Sequence, residues 1–239
     1  MHIARTSGGD VRKSLNALEL CLLTTSPNKD GEIVIDEKIA EQATQKKVLR
    51  YDRDGDSHYD VLSAFQKSVR GSDPDAAVYY LAKILSAGDM LSACRRMLVI
   101  AAEDVGLAYP QAIAITKACV DSALQLGMPE ARIPLAEAVI MLATAPKSNS
   151  AINAIDAAMN DIATRDTGNI PSHLQDSHYS GAGKMGHGIG YKYPHSFPNH
   201  YVKQQYLPDE IKDNVYYEYG ENKFERLNKE YWDKVKENS

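Results

Sequence analysis

No two cysteines in this 239-residue sequence stand at the CxxC spacing of a zinc ribbon or a redox motif. Cys21, Cys94 and Cys119 are far apart, and each lies among apolar residues, so we expect buried, reduced thiols. The sequence also lacks a signal-peptide pattern at its N-terminus and any apolar run long enough to cross a bilayer. Together these absences predict a cytoplasmic location.

Basic residues are fewer than acidic residues in the sequence. The chain has 27 Lys and Arg residues against 32 Asp and Glu residues, a formal net charge of −5. Non-specific affinity for DNA depends on cations that displace counterions from phosphate. A DNA contact would therefore need a local basic patch, or would have to be made by sequence outside this chain. Hydrophobic residues make up 44% of the chain, enough for a sizeable core.

Helical periodicity dominates the sequence and predicts an all-α fold. Proline and glycine mark the helix ends: Asp73 followed by Pro74 predicts a helix start, and Gly71, Gly88, Gly106 and Gly127 predict ends. The predicted buried stripes are Val11, Leu15, Leu18 and Leu22; Val61, Leu62, Phe65 and Val69; Val78, Leu81, Ala82 and Leu85; Leu91, Cys94, Leu98, Ala101, Ala102 and Val105; and Phe224, Leu227, Tyr231 and Val235.

Two stretches interrupt this pattern. Residues 50–57 are polar and charged, and they predict a linker between a small domain, 1–49, and a larger one, 58–239. Residues 167–208 are rich in Gly, Pro, His and Tyr with little periodicity, which predicts a long irregular segment. Helical character returns from Pro208 to Asn238.

The stretch from Ser7 to Leu20, SGGDVRKSLNALEL, opens a predicted amphipathic helix with Gly-Asp-x-Arg. It resembles the sensor-2 helix in the lid of clamp-loader-like AAA+ ATPases. The resemblance implies that Arg12 contacts the γ-phosphate of ATP when the nucleotide-binding core is present. A planar guanidinium near a helix start suits that task, although a solvated arginine on an ordinary helix is the alternative.

Three further stretches resemble the C-terminal region of the RarA/MgsA family of AAA+ ATPases. They are 58–77, HYDVLSAFQKSVRGSDPDAA; 102–108, AEDVGLA; and 186–195, GHGIGYKYPH, followed by QQYLP at 204–208. They occur in the family's order and cover most of the chain. By this resemblance, residues 1–49 are the C-terminal part of a lid domain. Residues 58–239 are then a helical oligomerisation domain similar to a clamp-loader collar.

The resemblance carries functional expectations. Family members are DNA-dependent ATPases acting in replication-fork maintenance, recombination and repair, and they form homotetramers through the C-terminal domain. They are also linked to single-stranded-DNA-binding protein. We therefore expect a cytoplasmic, nucleoid-associated homo-oligomer whose DNA contact depends on a longer polypeptide.

The nucleotide-binding signature of such ATPases is missing from the sequence. No GxxxxGK[ST] P-loop occurs, because Gly183-Lys184 is preceded by His178 where glycine is needed and followed by Met185. We expect this chain to be part of a longer polypeptide, to have no catalytic residue and to hold no cofactor. ATP and Mg²⁺ would bind the full-length protein.

The irregular segment interleaves cations with aromatic residues. Lys184, Lys192, Tyr191 and Tyr193 are candidate contacts to single-stranded nucleic acid, because bases stack on aromatic rings and lysines pair with phosphates. The alternative, which we favour from sequence, is that the tyrosines pack this segment onto the helical body and the lysines are solvated.

Two other functions stay open. The five histidines at 173, 178, 187, 195 and 200 suggest an enzyme with a metal, but no HxH or HExxH spacing is present, so we expect no metal site. The Pro- and Gly-punctuated helices also fit a stand-alone scaffold that binds a peptide partner. Gly181 to Gly186 matches GxGxxG, but no predicted strand precedes it, so a dinucleotide site is not expected.

Overall fold

The computed structural model describes residues 1–7, 11–28, 31–44, 56–177 and 188–238. Across these ranges all regular structure is helical and no strand forms, which confirms the predicted all-α class. None of the helices in the described ranges has the length and apolarity needed to cross a membrane. The α-helices are α1 (His2–Thr6), α2 (Val11–Thr24), α3 (Glu37–Thr44), α4 (Asp56–Arg70), α5 (Pro74–Ser86), α6 (Met90–Ile100), α7 (Ala112–Leu126), α8 (Arg132–Thr144), α9 (Ser150–Thr164) and α10 (Lys223–Glu237).

The three N-terminal helices pack against one another. Helix α3 begins where the sequence predicts, because Asp36 Oδ1 accepts a hydrogen bond from the Ile39 amide at 2.8 Å. Cys21 is buried, but the predicted apolar stripe of α2 is wrong as a buried stripe: Val11, Leu15, Leu18 and Leu22 are all exposed. Helices as short as α1 and α3 are too small to cover that stripe. The predicted linker falls mostly on residues 45–55, outside the described part of the chain.

Helices α4 to α8 enclose the hydrophobic core. The stripe predicted for α4 is confirmed, since Val61, Leu62, Phe65 and Val69 are all buried. The start signal of α5 is confirmed too: Asp73 accepts a hydrogen bond from the backbone of Ala76 at 2.9 Å. The largest fully buried apolar side chains are Phe65, Ile84, Met97, Ile100, Leu135 and Leu142.

The structure departs from the prediction of one regular helix from Leu91 to Val105. Helix α6 ends at Ile100, a π-helical turn occupies Ala101–Val105, and a 3₁₀ turn follows at Gly106–Ala108. Ala102, inside the π turn, is consequently exposed, and Leu91 at the start of α6 is exposed as well. A π turn inserts extra backbone into a helix, so regular helical periodicity fails across it.

Residues 209–222 are not α-helical, although the sequence predicts a helix from Pro208 onward. Helix α10 begins at Lys223 because Asn222 Oδ1 accepts a hydrogen bond from the Glu225 amide at 3.0 Å, as an N-cap does. Residues 167–177 and 188–208 are irregular, as predicted, with isolated 3₁₀ turns.

Candidate functional site

The π-helical turn places two neighbouring carboxylates, Glu103 and Asp104, against α4. Gln66 Nε2 donates to Glu103 at 3.2 Å and to Asp104 at 3.1 Å. Arg70 donates from Nη2 to Glu103 at 2.8 Å and from Nε to Asp104. Arg96 donates to Gln66 Oε1 at 2.8 Å. These five side chains form one hydrogen-bonded network, which we call the π-turn junction.

The π-turn junction contains equal numbers of positively and negatively charged side chains. Asp104 is buried, so its carboxylate needs a partner, and the half-exposed Arg70 guanidinium supplies it. The hydrogen bond to Asp104 and the nearby negative charges raise the pKa of Arg70 further above its usual value. Sequence reasoning missed this arrangement, because it depends on a distortion of the helix that brings both carboxylates to α4.

An open cleft of about 470 Å³ lies beside the junction. Lys147 Nζ is held at its wall by hydrogen bonds to the Ser72 hydroxyl at 3.0 Å and the Ala145 carbonyl at 2.6 Å. Burial lowers the pKa of Lys147. Two cations and two carboxylates line the cleft, so it offers no surplus charge to a ligand. Its lining residues are Arg70, Glu103, Asp104, Lys147, Ser148, Asn149, Ile152 and Asn153.

A second hydrogen-bonded cluster surrounds Glu225, whose side chain is fully buried. Its carboxylate accepts hydrogen bonds from the hydroxyls of Ser148 and Ser150, each at 2.6 Å, from the Tyr217 hydroxyl at 3.0 Å, and from the Asn222 amide. This cluster ties the start of α10 to the start of α9.

The cluster strongly favours a charged carboxylate. Burial alone would raise the pKa of Glu225, but the hydrogen bonds from the serines, from Asn222 and from the Gly220 backbone outweigh it and lower the pKa to about 2. Burial, and then the hydrogen bond to this carboxylate, raise the pKa of Tyr217 to about 12. Glu225 is therefore ionised, and Tyr217 neutral, at physiological pH.

The structure describes part of the predicted histidine cluster but not the side chain of Arg12. Among the described residues, no group of three His, Cys, Asp or Glu side chains is close enough to hold a metal ion. Two histidines of the predicted cluster, His178 and His187, lie outside those residues. Arg12 belongs to the first turn of α2, but its side chain, like residues 8–10, lies outside the part that the structure describes. Its nucleotide contact remains a prediction.

Three of the four predicted nucleic-acid contacts lie together in the irregular segment, whereas Lys184 falls outside the described residues. Tyr191 is 44% exposed and Tyr193 57% exposed. Both side chains are exposed, and their contact with nucleic acid remains a prediction. Lys192 between them is exposed as well.

Two helices of the body present uncovered apolar stripes. On α9, Ile155, Met159 and Ile162 are 55%, 59% and 67% exposed, and only Ser150 of its fifteen residues is buried. On α10, the residues predicted to be buried at 224, 227 and 231 are each more than 40% exposed, and only Val235 of that stripe is buried. Within the part of the chain that the structure describes, these side chains remain exposed.

Comparison with known proteins identifies the chain. Two adjoining family matches indicate the class of protein, an all-helical C-terminal region of an AAA+ ATPase. Residues 1–70 match the AAA C-terminal domain, and residues 71–236 match the MgsA AAA+ ATPase C terminal family. The chain belongs to the MgsA AAA+ ATPase C-terminal family, which confirms the resemblance seen in its motifs. The two matched regions meet at the end of α4, so the Arg70–Asp104 ion pair lies where they join.

Curated relatives agree with this assignment. The chain is 54% identical over 235 residues to replication-associated recombination protein A of Bacillus subtilis, covering 98% of the chain and 56% of that relative. It is 38% identical over 217 residues to the protein of the same name from Escherichia coli K12, covering 90% of the chain and 48% of the relative. The chain thus spans about half the length of these curated relatives.

Proposed function

We propose that this chain is the C-terminal assembly region of a DNA-dependent AAA+ ATPase acting in replication-fork maintenance, recombination and DNA repair. Its helical body joins copies into a homotetramer, and Arg12 contacts ATP bound with Mg²⁺ in the AAA+ core of a longer polypeptide. DNA and single-stranded-DNA-binding protein are the partners of that polypeptide. The family membership and the names of the relatives support this function.

The observation that carries the assembly proposal is the uncovered stripe of α9. Residues at i, i+4 and i+7 share one face of a helix, and these three side chains are each more than half exposed. Burial of one such side chain contributes about 1.5–3 kcal/mol. A short helix in water also depends on packing for its stability, so this face needs a partner.

A second copy of the chain suits this face. An isologous contact requires only that a surface match itself, and an apolar stripe does so without complementary charges. Ala151, Ala158 and Ala163 flank the stripe, and small side chains let helices approach closely. A closed tetramer with dihedral symmetry needs a second contact face, and the exposed stripe of α10 supplies a candidate.

Light scattering coupled to size-exclusion chromatography tests the assembly. We expect the wild-type chain to elute at about four times its 26.4-kDa mass, and Ile155→Asp/Ile162→Asp to elute as a smaller species. Asn160→Asp, an exposed position off the stripe, adds the same kind of charge and should keep the wild-type mass. A monomeric wild-type chain at micromolar concentration contradicts the proposal and favours the peptide-binding scaffold.

The nucleotide part is tested in a polypeptide that contains both an AAA+ core and this chain. We expect Arg12→Ala to lower ATP hydrolysis at saturating ATP by about tenfold or more, because an arginine on the γ-phosphate stabilises developing charge. Lys13→Ala, one residue along, is the matched control and should retain activity. Equal activities of the two variants would remove Arg12 from the nucleotide site.

A further inference from the structure

Residues 188–207 are free of negative charge in an otherwise acidic chain. The protein carries 32 acidic residues, yet none occurs in these twenty positions. The same stretch contains two lysines, Lys192 and Lys203, and both are exposed. It also contains five aromatic residues and two histidines. A stretch that carries cations and no carboxylate of its own is a charge pattern that complements a polyanion. The nearest acidic neighbour along the chain is Asp209, whose carboxylate accepts a hydrogen bond from the Gln205 side chain at 2.9 Å.

The backbone of this segment is held in place by side-chain hydrogen bonds. The Gln204 side chain accepts from the Lys192 amide at 3.1 Å and donates to the Lys192 carbonyl at 2.8 Å, and it also donates to the Tyr206 hydroxyl at 2.9 Å. Two separate stretches, 191–193 and 204–206, are thereby joined. The Tyr201 ring packs at 6.1 Å from Trp232 of α10, which anchors the segment to the helical body.

Three tyrosine rings on this framework face solvent. Tyr191, Tyr193 and Tyr206 are all more than 40% exposed. The Tyr193 ring centroid is 5.2 Å from that of His195, which in turn is 4.9 Å from that of His200. The rings at 193, 195 and 200 therefore contact one another in the same segment that carries the two exposed lysines.

We propose that this surface, formed by Tyr191, Lys192, Tyr193, Lys203 and Tyr206, binds single-stranded nucleic acid. Unpaired bases stack on the tyrosine rings, and the two lysines pair with phosphates. The combination favours this ligand over others, since a duplex hides its base faces and an acidic peptide does not carry a planar ring on every unit as a single strand does. This inference deepens the DNA dependence of the proposed function by assigning a contact surface to this chain itself.

Fluorescence anisotropy with the full chain and a labelled oligothymidylate of about 20 nucleotides measures the binding. We expect Tyr191→Ala/Tyr193→Ala to weaken affinity at least tenfold, because each stacked base contributes substantially. Tyr191→Phe/Tyr193→Phe keeps the rings and should bind like wild type. Tyr79→Ala removes an equally exposed tyrosine on α5 and should leave affinity unchanged. Thermal melts of each variant report its folding.

A salt series examines the lysines separately. Lys192→Ala/Lys203→Ala should reduce the slope of log affinity against log salt by about 1 to 1.5, the share of two phosphate contacts on a single strand. An oligouridylate of equal length shows whether DNA or RNA is preferred. A duplex of the same sequence should bind more weakly.

Three results would overturn the inference. They are an absence of oligothymidylate binding by the wild-type chain, unchanged affinity of the double alanine variant, and equal affinity for the duplex. Poly-glutamate that binds as tightly as oligothymidylate would mark the surface as a site for acidic peptides instead. The mass of each variant by light scattering separates this test from the assembly proposal, because loss of binding at an unchanged mass concerns the surface alone.

Discussion

The Ser148 hydroxyl donates a hydrogen bond of 2.6 Å to Oε2 of Glu225, a residue 77 positions further along the chain. The Ser148 amide also donates to the Asp104 carbonyl at 2.9 Å. One serine therefore joins the π-turn junction to the first turn of α10, beside the start of α9. Because α9 and α10 carry the uncovered apolar stripes, these buried hydrogen bonds fix the orientation of both proposed assembly faces.

Acid should weaken the protein through Glu225. The pKa of this carboxyl is about 2 in the folded chain against an ordinary 4.5. Its contribution, on the order of 3 kcal/mol, is complete above the unfolded pKa and is lost as pH falls from about 5 toward 2. Urea unfolding at several pH values from 7 down to 2 should show Glu225→Gln to be less stable than the wild type at pH 7 and less sensitive to acid. Glu230→Gln, at an exposed position of the same helix, should keep the wild-type pH profile. Parallel profiles for the wild type and both variants would contradict the role of Glu225 in acid sensitivity.

Two glycines with positive φ allow the cost of backbone strain to be measured apart from the cost of a steric clash. Gly106 has φ +47° and a Cβ there would lie 2.6 Å from the Ser148 carbonyl oxygen, whereas Gly127 has φ +70° with open space around it. Gly127→Ala should cost about 1–3 kcal/mol through strain alone. Gly106→Ala should cost about 1–3 kcal/mol more, since backbone must shift to admit the methyl group. Equal losses in chemical denaturation would show that the Ser148 loop yields freely.

The Arg70–Asp104 pair should be strongly coupled. A double-mutant cycle with Arg70→Ala and Asp104→Asn should give a coupling free energy of about 1–3 kcal/mol, because the carboxylate is buried and the hydrogen bond is charged. The exposed pair Lys117–Asp121 on α7 is the control, with about 0.3–0.5 kcal/mol expected. A coupling as small as that of the control would mean that solvent screens the junction.

The cysteines should be inert in the folded chain. Cys21, Cys94 and Cys119 are free and buried, as the sequence predicts, and burial raises the pKa of Cys94 and Cys119. Thiolate is the reactive form, so a chromogenic thiol reagent at pH 8 should label all three only after denaturant is added. Rapid labelling of any thiol in native buffer would show that its helix opens readily.

Two helix starts were predictable because a single side chain supplies the signal. Asp36 and Asp73 both cap the helices that the sequence assigns to them, because an N-cap acts on an amide only three residues away. The Glu225 cluster gave no comparable signal. Its partners Ser148 and Ser150 are 77 and 75 residues distant, and an isolated glutamate in a charged helix resembles any solvated one.

Local periodicity by itself determined that this protein is all-α and which side chains share a helical face. Only the tertiary structure decided which of those faces are covered: the stripe of α4 is buried in the core, whereas the stripes of α2, α9 and α10 remain exposed. The reason is that periodicity arises from about 3.6 residues per turn within one helix, whereas burial requires a neighbouring surface. The π-turn likewise depends on contacts with α4 that no single segment encodes.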